Sequence, residues 1–259
     1  MSTPSLILVS GRFASPDVPR ARDAAFAHAL AGRGCDVRWV VPQASTATAS
    51  ELPAGSMVCA LPVVSQAPGF AAVQGRLLDP LSEKVLMQAI RGQMPDLVHV
   101  LDYGGCTSVN LSWVTSRLGV GCVVSVPADS TVCHRGDLRY RGAEDCDRFG
   151  DPERCSVCSL APATGGLSTW QSVLGRTLGV LRLPFNPYPL PPNFENRQEL
   201  LMGGLQCADR VIVTGETERH RVSTLGLRDE VFEVLPPIGG EADVVESYLE
   251  LYAQIIDRS

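Results

Sequence analysis

Ser5-Leu6-Ile7-Leu8-Val9-Ser10, then Arg20 to Gly34, then Asp36-Val37-Arg38-Trp39-Val40-Val41: this opening passage reads as strand, helix, strand. The first run is short and apolar throughout, as a buried strand is. Ala24, Phe26, Ala27 and Leu30 recur at helical spacing, and Gly34 supplies a natural stop. Pro42 closes the second strand. Pieces of this length fit a right-handed parallel crossover.

The alternation continues outward. Met57 to Pro62 reads as a strand, and Leu78 to Arg91 as a helix with Leu81, Val85, Leu86 and Ile90 on one face. Asp96 to Val100 is a strand, Cys106 to Leu118 a helix, and Gly121 to Val126 a strand ended by Pro127. Helix, strand, helix and strand follow at Asn193 to Gln206, Arg210 to Val213, Thr217 to Leu225 and Val231 to Leu235. The expected fold class is α/β, a single doubly wound parallel sheet. Its inner strands are Leu6–Val9, Val37–Val41, Leu97–Val100, Val123–Val126 and Val211–Val213. Residues 1–238 form one domain on this reading, and residues 239–259 a helix that packs back on it. Two stretches break the rhythm. Residues 127–166 lose periodicity and become rich in Gly, Asp, Arg and Cys, a long irregular passage that something else must hold. Leu167 to Leu183 returns to a helical pattern, and residues 184–192 carry five prolines and form a connector.

Bulk properties narrow the function. With 45% hydrophobic and 19% charged residues the chain of 259 is an ordinary globule. A net charge of −6 argues against a nucleic-acid-binding face. No apolar run approaches the roughly 20 residues of a membrane span, and Leu6 to Val9 is too short and lacks the basic flank of a signal peptide. The expected location is cytoplasmic.

In that reducing setting nine cysteines are unlikely disulfides. Cys35, Cys59, Cys106, Cys122 and Cys207 are scattered in apolar surroundings and read as small core residues. Cys133-x12-Cys146-x8-Cys155-x2-Cys158 is different, because these four share one polar segment. Four thiolates complete a closed, structural zinc site, with His134 able to replace one. The C-x2-C pair would supply two ligands from one tight turn. An iron–sulfur cluster and four free thiols are the alternatives. Asp102-Tyr103-Gly104-Gly105 falls at the carboxyl end of a strand, where open sheets bind ligands, although a Gly-Gly there is equally a plain helix entry. His99, inside an apolar strand, reads either as a satisfied core histidine or as a substrate contact.

Several of these stretches resemble the N-terminal, acceptor-side half of family-4 glycosyltransferases of the GT-B fold. They are Met94-Pro95-Asp96-Leu97-Val98-His99-Val100-Leu101-Asp102, Cys207-Ala208-Asp209-Arg210-Val211-Ile212-Val213-Thr214, and Val231 to Ile238. Cys133-His134-Arg135-Gly136 and Arg154-Cys155-Ser156-Val157-Cys158 resemble the ends of a cysteine-containing insertion in part of that family. Tyr248-Leu249-Glu250-Leu251-Tyr252 is similar to the family's last helix, which packs back on the first domain. The chain departs from the pattern twice. Pro16-Asp17-Val18-Pro19 stands where the family has a Gly-Gly loop, and Pro127-Ala128 where it has His-Asp.

The resemblance implies a domain that recognises an acceptor glycan, a lipid-linked sugar or a protein partner, inactive alone because the donor-binding half is not in this sequence. Peripheral contact with a membrane is compatible with this. Two other functions remain open: the acceptor subunit of a split glycosyltransferase completed by a donor-binding protein subunit, and a zinc-stabilised scaffold. Any ligand is expected near Asp102, Tyr103, Gly104, Gly105, Asp129 and His134.

Overall fold

The structure is a computed structural model that describes residues 3–10, 19–40, 78, 80–101, 108–126, 131–134, 138–140, 144–159 and 191–258. Six parallel strands form its centre: β1 (Ser5–Val9), β2 (Asp36–Val40), β3 (Leu97–Val100), β4 (Gly121–Ser125), β7 (Arg210–Val213) and β8 (Phe232–Val234). Their order is β2-β1-β3-β4-β7-β8. A separate two-stranded antiparallel ribbon joins β5 (Arg139–Tyr140) to β6 (Glu144–Asp145). The helices are α1 (Pro19–Gly32), α2 (Pro80–Gln93), α3 (Leu111–Arg117), α4 (Pro152–Ser159), α5 (Pro191–Gln206), α6 (Glu216–Ser223) and α7 (Ala242–Ile256).

Alternation along each strand sends side chains to two apolar layers. Ile7 and Val9 of β1 join Val98, Val100, Val124 and Val211 in a layer closed by Leu86 and Ile90 of α2, Leu111 of α3 and Leu201 and Leu205 of α5. Leu6 and Leu8 face the other way, with Trp39, Val123 and Ile212, under Phe26 and Leu30 of α1 and Val245, Tyr248, Leu251 and Ile255 of α7. The sheet is therefore doubly wound, as the strand–helix rhythm predicts. Both faces are covered, so the strands read as continuous apolar runs.

Two aspartates set the register from the ends. The Ser5 N–H donates to Asp96 Oδ2 at 2.8 Å while the Asp96 N–H donates to the Ser5 carbonyl at 2.8 Å. One strand over, the Cys122 N–H donates to Asp209 Oδ2 at 2.8 Å and the Asp209 N–H to the Cys122 carbonyl at 2.9 Å. Each carboxylate thus satisfies a donor that a strand start would leave open.

Some boundaries differ from the sequence reading. Helix α5 begins at Pro191, so the last two prolines of the 184–192 connector lie in its first turn, where a missing N–H costs nothing. Among the described residues β2 stands at the edge of the sheet and not inside it. The 127–166 insertion is not wholly irregular, since it contains the β5–β6 ribbon and the eight residues of α4. Met57–Pro62 and Leu167–Leu183 lie outside the described residues. No helix among the described residues is long and apolar enough to cross a membrane.

Candidate functional site

Strand order reverses between β1 and β3, since the chain runs from β1 out to β2 and returns to the opposite side of β1. In such sheets a crevice opens beyond the carboxyl ends of the two strands. Here those ends are Val9-Ser10 and Val100-Leu101. Ser10 is held in place there: its hydroxyl donates to Asp23 at 2.6 Å and accepts the Trp39 indole N–H at 2.8 Å. Asp102, Tyr103, Gly104, Gly105 and Asp129, expected to line this crevice, lie outside the described residues, as do residues 11–18.

His99 belongs to the core. Its ring is fully buried, with Nδ1 2.6 Å from the Tyr252 hydroxyl and Nε2 2.8 Å from the Ser125 hydroxyl. Burial pulls its pKa down to about 3, so the ring is neutral at ordinary pH. Tyr248 lies against it, with ring centroids 5.8 Å apart, and burial pushes the Tyr248 phenol above its usual range. Of the two readings left open for His99, the structure supports the satisfied core histidine.

The second cluster lies in the insertion. Cys133, His134, Cys146, Cys155 and Cys158 line a single interior space of about 10 Å³, roughly one water-sized sphere. Cys133 follows Val132, which is 2% exposed and anchored in the sheet layer. Cys146 leaves the ribbon, its N–H donating to the Leu138 carbonyl at 2.7 Å. Cys155 and Cys158 lie one turn apart on α4, so the C-x2-C pair sits on a helix and not on a tight turn. Asp151 starts that helix by accepting the Glu153 and Arg154 N–H groups at 3.0 and 3.1 Å. Arg154 closes the outer wall, its guanidinium 4.1 Å from the Tyr140 ring centroid and 2.8 Å from Asp147.

None of the four cysteines is in a disulfide, and among the described residues no three His, Cys, Asp or Glu side chains are already arranged to hold a metal ion. Burial pushes the Cys155 thiol up to about 11, with Cys133 and Cys146 adding to the rise. Gly150, through a backbone hydrogen bond, and Arg197 act in the opposite direction. Arg197 comes from α5 and is 7% exposed. Burial lowers its pKa to about 10, and its electrostatic neighbours include Cys155 and Cys133. His134, expected beside the strand ends, sits in this cysteine-lined space with its ring 4.9 Å from that of Phe194. The sequence reading missed Arg197, although a signal existed. Phe194, Arg197 and Leu201 fall at i, i+3 and i+7, the buried stripe of α5, and a charged residue on such a stripe needs a partner.

The match that decides the family covers residues 20–237, under the description "Glycosyl transferase 4-like domain". The chain belongs to this glycosyl transferase 4-like family. No curated protein matches it by sequence. Among solved structures, this glycosyl transferase 4-like domain is similar to Phytolacca americana UGT2 complexed with UDP-2fluoro-glucose and pterostilbene. That match has 17% identity and a TM-score of 0.49, and covers 91% of this chain and 53% of the other. UDP-N-acetylglucosamine 2-epimerase from Rickettsia bellii gives 10% identity and a TM-score of 0.44, covering 96% and 48%. The chain spans about half the length of these structures. The family assignment rests on the sequence match. Within it, the domain is the N-terminal, GT-B-like Rossmann half. The motif aspartates Asp96 and Asp209 have a structural role in it, clamping neighbouring strand starts.

A shallower groove runs between α3 and α5, about 300 Å³ in volume, with Trp113 as its aromatic wall and Glu199 opposite. Trp113 is 47% exposed, and the Arg117 guanidinium lies 5.1 Å from its ring centroid.

Proposed function

We propose that this domain recognises the acceptor in glycan assembly, forming the acceptor-side wall of a transfer cleft, and that the 259-residue chain transfers no sugar by itself. The observation that carries this reading is membership of the glycosyl transferase 4-like family over residues 20–237. The sheet order supports it, because open sheets bind ligands where strand order reverses, here between β1 and β3, and Asp102, Tyr103, Gly104 and Gly105 come next after β3 in the sequence, as Asp129 does after β4. Its class of ligand is a glycan or a lipid-linked sugar.

Inactivity follows from the departures. The stretch Pro16-Asp17-Val18-Pro19 contains two prolines, which have no backbone N–H to offer a diphosphate, where the family has a glycine pair. Pro127-Ala128 has no side chain to take a proton from an acceptor hydroxyl. Positioning and charge stabilisation supply most of an enzymatic acceleration, and both are depleted here.

Calorimetry and a radiolabel transfer assay test this with UDP-glucose, UDP-N-acetylglucosamine and GDP-mannose. The expected outcome is binding no tighter than about millimolar, near −4 kcal/mol, with no hydrolysis or transfer. Multiple turnovers by the isolated chain, abolished by Asp129→Ala, would reverse the conclusion.

A further inference from the structure

The cysteine-lined space in the insertion is independent of any sugar chemistry. Four sulfurs from three separate pieces of chain meet there: Cys133 after β4, Cys146 after the ribbon, and Cys155 with Cys158 on α4. The space admits about one water-sized sphere, so it suits a single small ion and no organic ligand. The surrounding segment is poorly provided with a core of its own. Of the eight residues of α4 only Ser156 and Cys158 are buried, and one of these is itself a cysteine. A helix this short, with so little apolar burial, needs tertiary support from elsewhere.

We propose that Cys133, Cys146, Cys155 and Cys158 bind one zinc ion that staples residues 131–159 onto the sheet domain. Sulfur donors select a soft or borderline cation, and zinc accepts four of them tetrahedrally with no preference to distort. Four protein ligands leave no open position, so the ion is structural and not catalytic. Binding draws the four sulfurs inward around the space that they line. A zinc ion with four thiolates carries an excess of two negative charges, and the buried Arg197 guanidinium offsets one of them. The metal thereby links the insertion to α5 as well as to β4, and ordering the insertion becomes part of the binding free energy.

The full chain, purified without chelator, is expected to carry about one zinc by elemental analysis. Added cobalt(II) should give sulfur-to-metal charge-transfer absorption and the visible bands of a tetrahedral site. Hydrogen exchange should quicken across residues 131–159 when the metal is chelated, while β1, β3, β4 and β7 stay protected. Cys155→Ser and Cys158→Ser should each lose the metal, and Cys207→Ser, away from the cluster, should keep it. If the serine variants fail to fold, the cobalt titration of the natural sequence still decides. Chain with no metal and no cobalt spectrum overturns the proposal, as do disulfides among these four cysteines in non-reducing peptide maps. Iron with acid-labile sulfide overturns it in favour of a cluster.

Discussion

His99 sits at the meeting point of β3 and α7, and its chemistry gives the domain a pH dependence. Both ring nitrogens are engaged, with Tyr252 at 2.6 Å and Ser125 at 2.8 Å, and a neutral imidazole can satisfy one as donor and one as acceptor. Burial lowers its pKa from 6.5 to about 3. Between those values the unfolded chain takes up a proton that the folded one refuses, so stability falls as pH drops below 6.5. His99→Gln removes that titration. At pH 7.5 the variant should be less stable than the natural sequence by about 1–3 kcal/mol. By pH 5 the gap should shrink by about 2 kcal/mol. Urea unfolding at the two pH values measures both numbers, and a gap that stays constant would remove His99 as the source. The sequence showed this histidine inside an apolar strand but could not show its partner, because Tyr252 lies 153 residues away.

At the scale of elements, adjacent glycines in α5 make opposite predictions. Gly204 faces α3, where a Cβ would strike the Val109 backbone carbonyl, and its own carbonyl accepts the Ser112 hydroxyl. Gly203 is exposed with nothing within 4 Å of the position a Cβ would take. Gly203→Ala should therefore stabilise the protein by up to about 1 kcal/mol through helix propensity alone. Gly204→Ala should destabilise it by about 1–3 kcal/mol, because backbone cannot step aside. Thermal melts of the two single variants check the signs, and a stabilised Gly204→Ala would mean that the α3–α5 contact is looser than described. Gly121→Ala is expected to be milder than Gly204→Ala, since the atom in its way, 2.9 Å off, is the Ile255 Cγ2 methyl of a side chain that can shift.

The strands were legible because both their faces are apolar: Leu6 to Val9 and Val98 to Val100 need no alternation to announce themselves. Helix α7 was legible for the opposite reason, as Val244, Tyr248, Leu251, Tyr252 and Ile255 form a clean stripe, and all five are buried as expected. The insertion was not. Its ribbon strands are two residues each and α4 only eight, too short for periodicity to register. Cysteine spacing singled out four residues that do line one space, yet it gave no hint that two lie on a helix or that Arg197 arrives from α5.

For the molecule as a whole, α7 is half of one apolar layer. It covers β1, β3 and β4 together with α1, and Arg33, the residue after α1, pairs with Glu246 of α7 at 2.8 Å on the rim. A chain cut after Ile238 would expose Leu6, Leu8, Phe26 and Trp39 and lose the six buried residues of α7. At about 1.5–3 kcal/mol for each large apolar side chain, the loss is comparable with the whole stability of a domain. Such a truncation should be recovered as aggregate or with strong dye binding to exposed apolar surface. A soluble, cooperatively melting 1–238 fragment would show that α7 is an accessory.

That layer also fixes an order of events in the cell. Leu8 and Phe26 are made early, and Tyr248 and Ile255, which cover their layer, come more than two hundred residues later. While the chain is still threaded through the ribosome, the opposite face can already be packed by α2, α3 and α5, leaving this one greasy and open. Slow synthesis, or a stall before Ile255 emerges, lengthens the interval in which a chaperone must shield it.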